Sequence, residues 1–192
     1  MNLPNLLTIA RLVLSGVIFL LLGIAARRPA VPTLMLDGAF VLFVITALTD
    51  MFDGMIARRY GLVTTFGRIA DPFADKVLVT GSFVFLLGFP QARLEAWMVV
   101  VIVSREFLVS GLRGYIEGRG REFSAMMWGK TKVTAQYTLI GWLIFYIAHM
   151  SDAAWAQYLT LAGVLGVTAW TALSGVAYLV KATGVLRNGT DG

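Results

Sequence analysis

Apolar residues along this chain gather into six long stretches separated by short polar connections: Leu6 to Ala25, Leu36 to Arg58, Asp71 to Phe89, Ala96 to Ile116, Lys130 to Ala148 and Ala153 to Val180. About 20 apolar residues carry a helix across the hydrocarbon core of a bilayer. The pattern therefore predicts an all-α, polytopic membrane protein with six transmembrane helices. The last stretch is long enough to tilt, or to leave the membrane before it ends. No repeat, low-complexity tract or linker marks a second unit, so residues 1–192 read as a single integral membrane domain with a frayed tail after Arg187. Met1 to Ala10 carries no charged side chain, unlike the basic start of a cleavable signal, so the first stretch is expected to be retained. Pro4 suits a first helical turn, and Asn2 to Leu7 reads as a short interfacial segment ahead of the span.

Composition agrees, since a chain of 192 residues that is 58% hydrophobic has too little polar surface for a water-soluble globule of this size. The basic residues add orientation. With six spans, both termini and the second-to-third and fourth-to-fifth connections share one side. Of the 16 lysines and arginines, only Arg27, Arg28 and Arg93 fall on the other. Basic residues collect on the cytoplasmic side of membrane proteins, so the crowded side is expected to be cytoplasmic. The net charge of +5 is thus a topology signal first, one that also suits anionic lipid head groups. No basic stripe interleaved with aromatics stands in a soluble segment, so no nucleic-acid partner is expected. The absence of cysteine excludes disulfides, thiolate metal sites and cysteine nucleophiles.

Four aspartates, Asp50, Asp53, Asp71 and Asp75, stand inside the second and third stretches. A carboxylate in hydrocarbon is costly and needs a positive partner. The spacing is D-x-x-D-G-x-x-A-R-x8-G-x3-D-x3-D, with Gly54, Ala57, Arg58 and Gly67 at the remaining fixed positions. At about 100° per residue, Asp50, Asp53, Gly54 and Ala57 fall within an arc of roughly 100° on one helix, and Asp71 and Asp75 share a face of the next. Asp71 before Pro72 predicts an N-cap followed by proline at the first helical position. The connection from Arg59 to Ala70 would then bring the two carboxylate faces together just inside the membrane. Hard oxygen ligands of this kind suit Mg²⁺ or Mn²⁺, and two ions could share them. Such a pair polarises a phosphoryl centre and neutralises a leaving phosphate. Gly54 and Gly67 leave room for a ligand against backbone, and Arg58 can hold phosphate in a fork. Ion pairs between the aspartates and local arginines are the competing account, and explain less, because the glycine positions play no part in them.

These residues resemble the signature of the CDP-alcohol phosphatidyltransferases, membrane enzymes in which an alcohol displaces CMP from a CDP-linked lipid. The resemblance implies the fold of that family, with six transmembrane helices, two divalent ions in the carboxylate cluster, and a homodimer. It implies that Asp50, Asp53 and Asp71 hold metal, while Asp75 holds metal and acts as general base on the acceptor hydroxyl. Gly54, Ala57, Arg58 and Gly67 would contact the CDP moiety together with Asp53, with Thr8 nearby. It makes the whole chain a catalytic domain, and a bacterial inner membrane, with both termini and the active site cytoplasmic, fits it best.

The second half bears on the acceptor. Ser104, Arg105, Glu106, Gly111, Leu112 and Arg113 lie in the fourth stretch, and Gly129, Lys130, Lys132 and Gln136 open the fifth. This is similar to the branch of the family that uses glycerol 3-phosphate, whose members carry R-E-x-x-x-S-x-x-R and a G-K-x-K-T run. Val133 stands where that run has threonine, with Thr134 directly after it. The likeness extends from Asn5 to Gln136; beyond that only hydrophobicity agrees. Arg105 and Arg113 lie about 80° apart around a helix and can face one pocket. With Lys130 and Lys132 they would form a cationic recess for an anionic acceptor. Other acceptors, inositol phosphate, serine or phosphatidylglycerol, remain alternatives within the family, and an ion or metal transporter is the distant one. His149 reads as an interfacial residue on the side away from the aspartates. Trp97, Trp142, Trp155 and Trp170 read as interface or packing aromatics, and the glycines at 81, 88, 111, 114, 141, 163 and 166 as sites of close helix packing.

Overall fold

The computed structural model describes the backbone of residues 3–28, 32–60, 65–120 and 127–187, and within them the side chains of 6–28, 32–49, 70, 72–120 and 131–185. These residues form six helices and no strand: α1 Leu3–Ala26, α2 Thr33–Tyr60, α3 Thr65–Leu86, α4 Ala96–Gly118, α5 Met127–His149 and α6 Ala154–Arg187, with a 3-10 turn at Pro90–Ala92 between α3 and α4. Among the described residues two helices are long and apolar enough to cross a membrane on those grounds alone, over Leu6–Ala26 and Ala154–Val185, and α2 has a shorter apolar run, Thr33–Thr49. The others carry charges within their length, among them Asp75 and Lys76 on α3, Arg105, Glu106 and Arg113 on α4, and Lys132 on α5.

Six helices at the six apolar stretches match the expectation, but the start of α3 does not. It begins at Thr65, so Pro72 lies inside the helix. Asp71 therefore does not cap its N-terminus, and Thr65 to Ala70 is helix rather than connection. Proline within a helix removes one backbone hydrogen bond and crowds the carbonyl four residues earlier. Continuing the helix through the proline keeps Thr65 to Ala70 within the helical hydrogen-bond ladder. At the other end of the chain α1 runs unbroken from Leu3, with Pro4 in its first turn, so no separate interfacial segment precedes it from Leu3 onward.

α1 packs on α2 and α3; α5 packs on α2, α3 and α6; and α4 packs on α6 and α3. The main apolar core draws Ile18 and Leu22 from α1, Phe43 from α2, Phe83 from α3, Ile102 from α4, Ile144 from α5 and Val164 from α6. Two glycines permit the closest approaches. A Cβ on Gly81 would lie 2.2 Å from Cζ of Phe19, and one on Gly88 would lie 2.8 Å from Cβ of Ala26, which locks α3 against α1. Gly163 sits close under Leu139, and Gly141 at ordinary contact distance from Phe40 and Phe43. Gly111, Gly114 and Gly166 have nothing within 4 Å, so packing among the described residues does not account for them. Trp142 is a packing aromatic whose indole N–H donates to Thr160 Oγ1 at 2.9 Å, whereas Trp97 and Trp155 are exposed. His149 pairs with Asp37 at 2.7 Å, joining the last turn of α5 to the first turns of α2.

Candidate active site

The interior changes character along the bundle. Besides Thr46, Ser82, Thr160 and Thr168, the buried polar side chains among the described residues are Thr8, Arg11, Ser15, Arg105, Glu106, Lys132, Gln136, Thr171 and Ser174, which lie in the first half of α1, the middle of α4, the first half of α5 and the second half of α6. On α4 and α6 they separate the main apolar core from a smaller one of Val109, Ile116, Tyr178 and Ala182. Buried polar groups in a bilayer must be satisfied by one another, so such a layer is built only where it has work to do.

Asp75, on α3, accepts a hydrogen bond at Oδ1 from the phenol of Tyr137 on α5. The Tyr137 ring in turn lies 5.7 Å from that of Phe43 on α2. One side chain thus fixes the position of the Asp75 carboxylate relative to two helices. Thr8, the expected nucleotide contact on α1, is 1% exposed and belongs to the same polar half of the bundle. The expected metal ligands Asp50, Asp53 and Asp71, the nucleotide contacts Gly54, Ala57, Arg58 and Gly67, and the acceptor residue Lys130 lie outside the described side chains.

The expected cationic recess contains an acid. Lys132 Nζ donates to Glu106 Oε1, and Arg105 Nη1 reaches the same oxygen at 3.5 Å. Lys132 is 1% exposed, and a buried ammonium needs a counter-charge, which Glu106 supplies. Arg105 is further held by Ser174 on α6, whose Oγ accepts from Nε at 3.1 Å, and its guanidinium carbon lies 5.2 Å from the centre of the Tyr178 ring. Gln136 donates to Thr171 Oγ1 at 3.4 Å, continuing the layer into α6. Two buried donors of α4 have no hydrogen-bond partner among the described residues: Arg105 Nη2 and Arg113 Nε. Together with the cations around Glu106 they provide unused hydrogen-bonding capacity of the sign that binds an anion.

Tyr137, Ser174 and Tyr178 are not among the sequence candidates. Tyr137 falls two turns beyond Lys130 on the same side of a helix, a signal present in the sequence but shared by many packing aromatics. Ser174 and Tyr178 lie beyond the last motif and look like ordinary residues of an apolar helix.

Comparison with known proteins bears on the same residues. The sequence profile of the CDP-alcohol phosphatidyltransferase family matches residues 1–180. A protein from Bacillus subtilis named CDP-diacylglycerol–glycerol-3-phosphate 3-phosphatidyltransferase is 40% identical over 152 residues, 76% of this chain and 77% of its own length. Proteins of the same name from Salmonella typhimurium and Rickettsia prowazekii are 33% identical over 192 residues (96% of this chain, 97% of theirs) and 46% identical over 118 residues (60% and 59%). With its acidic signature, its six helices and a profile match that runs through all of them but the last turns of α6, the chain belongs to the CDP-alcohol phosphatidyltransferase family, membrane-integral enzymes.

Proposed function

We propose that this chain transfers the phosphatidyl group from CDP-diacylglycerol to sn-glycerol 3-phosphate, giving phosphatidylglycerophosphate and CMP. The observation that carries the choice of acceptor is the buried Arg105–Glu106–Lys132 cluster, in which Arg105 Nη2, like Arg113 Nε on the same helix, has no partner among the described residues. A phosphate monoester satisfies such donors; serine, with no phosphate, leaves them bare. The names of the relatives point to the same acceptor.

Asp75 accepts the proton of the acceptor's 1-hydroxyl. The freed oxygen forms a bond to the lipid-side phosphorus, the bond from that phosphorus to the bridging oxygen breaks, and CMP leaves with the electron pair. Tyr137 holds one oxygen of Asp75, which fixes the direction of the carboxylate. Arg105, Arg113, Lys130 and Lys132 bind the acceptor phosphate, and Thr8, Asp53, Gly54, Ala57, Arg58 and Gly67 bind the CDP moiety. The carboxylates of Asp50, Asp53, Asp71 and Asp75 are hard oxygen donors of the kind that hold Mg²⁺ or Mn²⁺, and Asp75 is only partly buried, with one oxygen committed to Tyr137. Two such ions, when bound, supply neutralisation of the pyrophosphate and of the developing charge.

All six helices are read as transmembrane, with both termini and the polar half of the bundle cytoplasmic, in a bacterial inner membrane. Each is 22 to 34 residues long, enough to span. Residues 1–192 form one catalytic domain that works as a homodimer. Exposed apolar side chains along α4, including Val100, Phe107 and Tyr115, suit lipid or a second copy.

The test is CMP release by the detergent-purified protein with CDP-diacylglycerol and Mg²⁺ or Mn²⁺, offering glycerol 3-phosphate, inositol phosphate, serine or phosphatidylglycerol singly. Metal-dependent release with glycerol 3-phosphate alone is expected. Release with another acceptor instead reassigns the cationic cluster.

A further inference from the structure

The region after Gln136 carries no recognisable motif, yet one stretch of α6 is shaped around Arg105. Ser174 accepts from Arg105 Nε at 3.1 Å while donating its own proton to the Thr171 carbonyl at 2.8 Å. Because the hydroxyl hydrogen is used within α6, the oxygen can serve Arg105 only as an acceptor, which matches a guanidinium that can only donate. One residue on, Gly175 has no side chain where Arg105 passes: a Cβ there would lie 3.0 Å from Arg105 Cγ. One turn further, the ring of Tyr178 lies beneath the guanidinium at 5.2 Å. Ser174, Gly175 and Tyr178 thus touch three successive parts of one arginine: Nε, stem and guanidinium. Glu106 takes Nη1, and Nη2 stays buried with no partner among the described residues.

We infer that Ser174, Gly175 and Tyr178 are positioning residues that aim Arg105 Nη2 at the acceptor's phosphate, which makes α6 a determinant of acceptor affinity. The inference rests on the acceptor role of Arg105 proposed above. An arginine has many rotamers and loses much freedom when ordered. Left to Glu106 alone, the guanidinium would swing toward the carboxylate and pair both terminal nitrogens with it, the preferred two-point geometry. Nε held by Ser174 and the plane held over Tyr178 prevent that swing and keep one donor for the ligand.

Steady-state CMP release by the detergent-purified protein, with glycerol 3-phosphate and CDP-diacylglycerol varied in turn, tests the inference. Ser174→Ala is expected to raise KM for glycerol 3-phosphate about tenfold, the effect of losing one hydrogen bond to a charged group. Its kcat and its KM for CDP-diacylglycerol should stay within about twofold of the parent. Ser174→Thr, which keeps the hydroxyl, should restore the KM. Tyr178→Leu should raise it by about three- to tenfold, in line with a lost cation–π contact, and Tyr178→Phe should not. Gly175→Ala, which pushes on the Arg105 stem, should act as Ser174→Ala does. Melting temperatures of all variants separate positioning from folding. A lowered melting temperature with an unchanged KM for glycerol 3-phosphate would overturn the inference. If Arg105→Lys raises that KM while Ser174→Ala and Tyr178→Leu do not, the positioning role falls and the acceptor reading stands. If Arg105→Lys leaves it unchanged, both fall.

Discussion

At the scale of single residues the decisive fact is that Asp75, Arg105, Glu106 and Lys132 each have a defined partner in another residue. Glu106 serves Lys132 and Arg105, and Tyr137 serves Asp75. A hydrogen bond to a carboxylate away from bulk water is worth more than one at a wet surface. Loss of the Asp75 charge and loss of its support should therefore differ in size. Asp75→Asn removes the proton acceptor, and kcat is expected to fall by about 10²- to 10⁴-fold, with CDP-diacylglycerol still bound. Tyr137→Phe leaves the carboxylate in place but less well aimed, and a fall of about tenfold is expected. Single-turnover CMP release paired with a nucleotide-binding measurement checks both. Full activity in Asp75→Asn would remove Asp75 from the base role.

Among the elements, α1 and α3 approach most closely over glycine. The Phe19 ring that fills the space over Gly81 is stacked on Phe85 at 5.2 Å and 10°, so it has little freedom to move aside. Gly81→Ala should destabilise the protein by about 1–3 kcal/mol through overpacking. Gly166, with nothing within 4 Å among the described residues, is the control: Gly166→Ala should be neutral, or stabilising by up to about 1 kcal/mol through helix propensity. Thermal aggregation in detergent, followed for both variants, distinguishes close approach from mere glycine content. Equal effects would mean that the α1–α3 contact is looser than its geometry indicates.

On the scale of the whole molecule a buried polar layer on α4 and α6 lies between a large apolar core and a smaller one, and the proposed chemistry is assigned to that layer and the aspartates. Two consequences can be measured. Chelation of divalent cations with EDTA should abolish CMP release, and Mg²⁺ or Mn²⁺ should restore it, if the carboxylates of Asp50, Asp53, Asp71 and Asp75 hold these ions as proposed. Activity that survives thorough chelation would refute the two-ion proposal. The chain has no cysteine, so one introduced thiol is a unique label. Asp152→Cys, between α5 and α6, should react with a membrane-impermeant maleimide in intact bacterial cells, and Arg119→Cys, at the end of α4, should react only after lysis. The opposite pattern would invert the proposed orientation.

Much of this protein is decided by properties local to the sequence. Six apolar runs mark the six helices, because backbone amides shielded from water by apolar side chains must bond within their own segment. The dehydration cost of a charge likewise makes Asp75, Arg105 and Lys132 conspicuous in the sequence itself, since each stands in apolar surroundings along the chain. Tertiary structure decided what those charges meet. Lys132 finds Glu106 across 26 positions, Asp75 finds Tyr137 across 62, and Arg105 finds Ser174 across 69. Such pairings depend on which helix faces which, and that is set by close approaches such as Gly81 on Phe19, not by any local pattern. The start of α3 belongs here as well. Asp71–Pro72 signals a helix beginning when read locally, and the helix overrides it, continuing back to Thr65 at the loss of the one backbone hydrogen bond that proline cannot make.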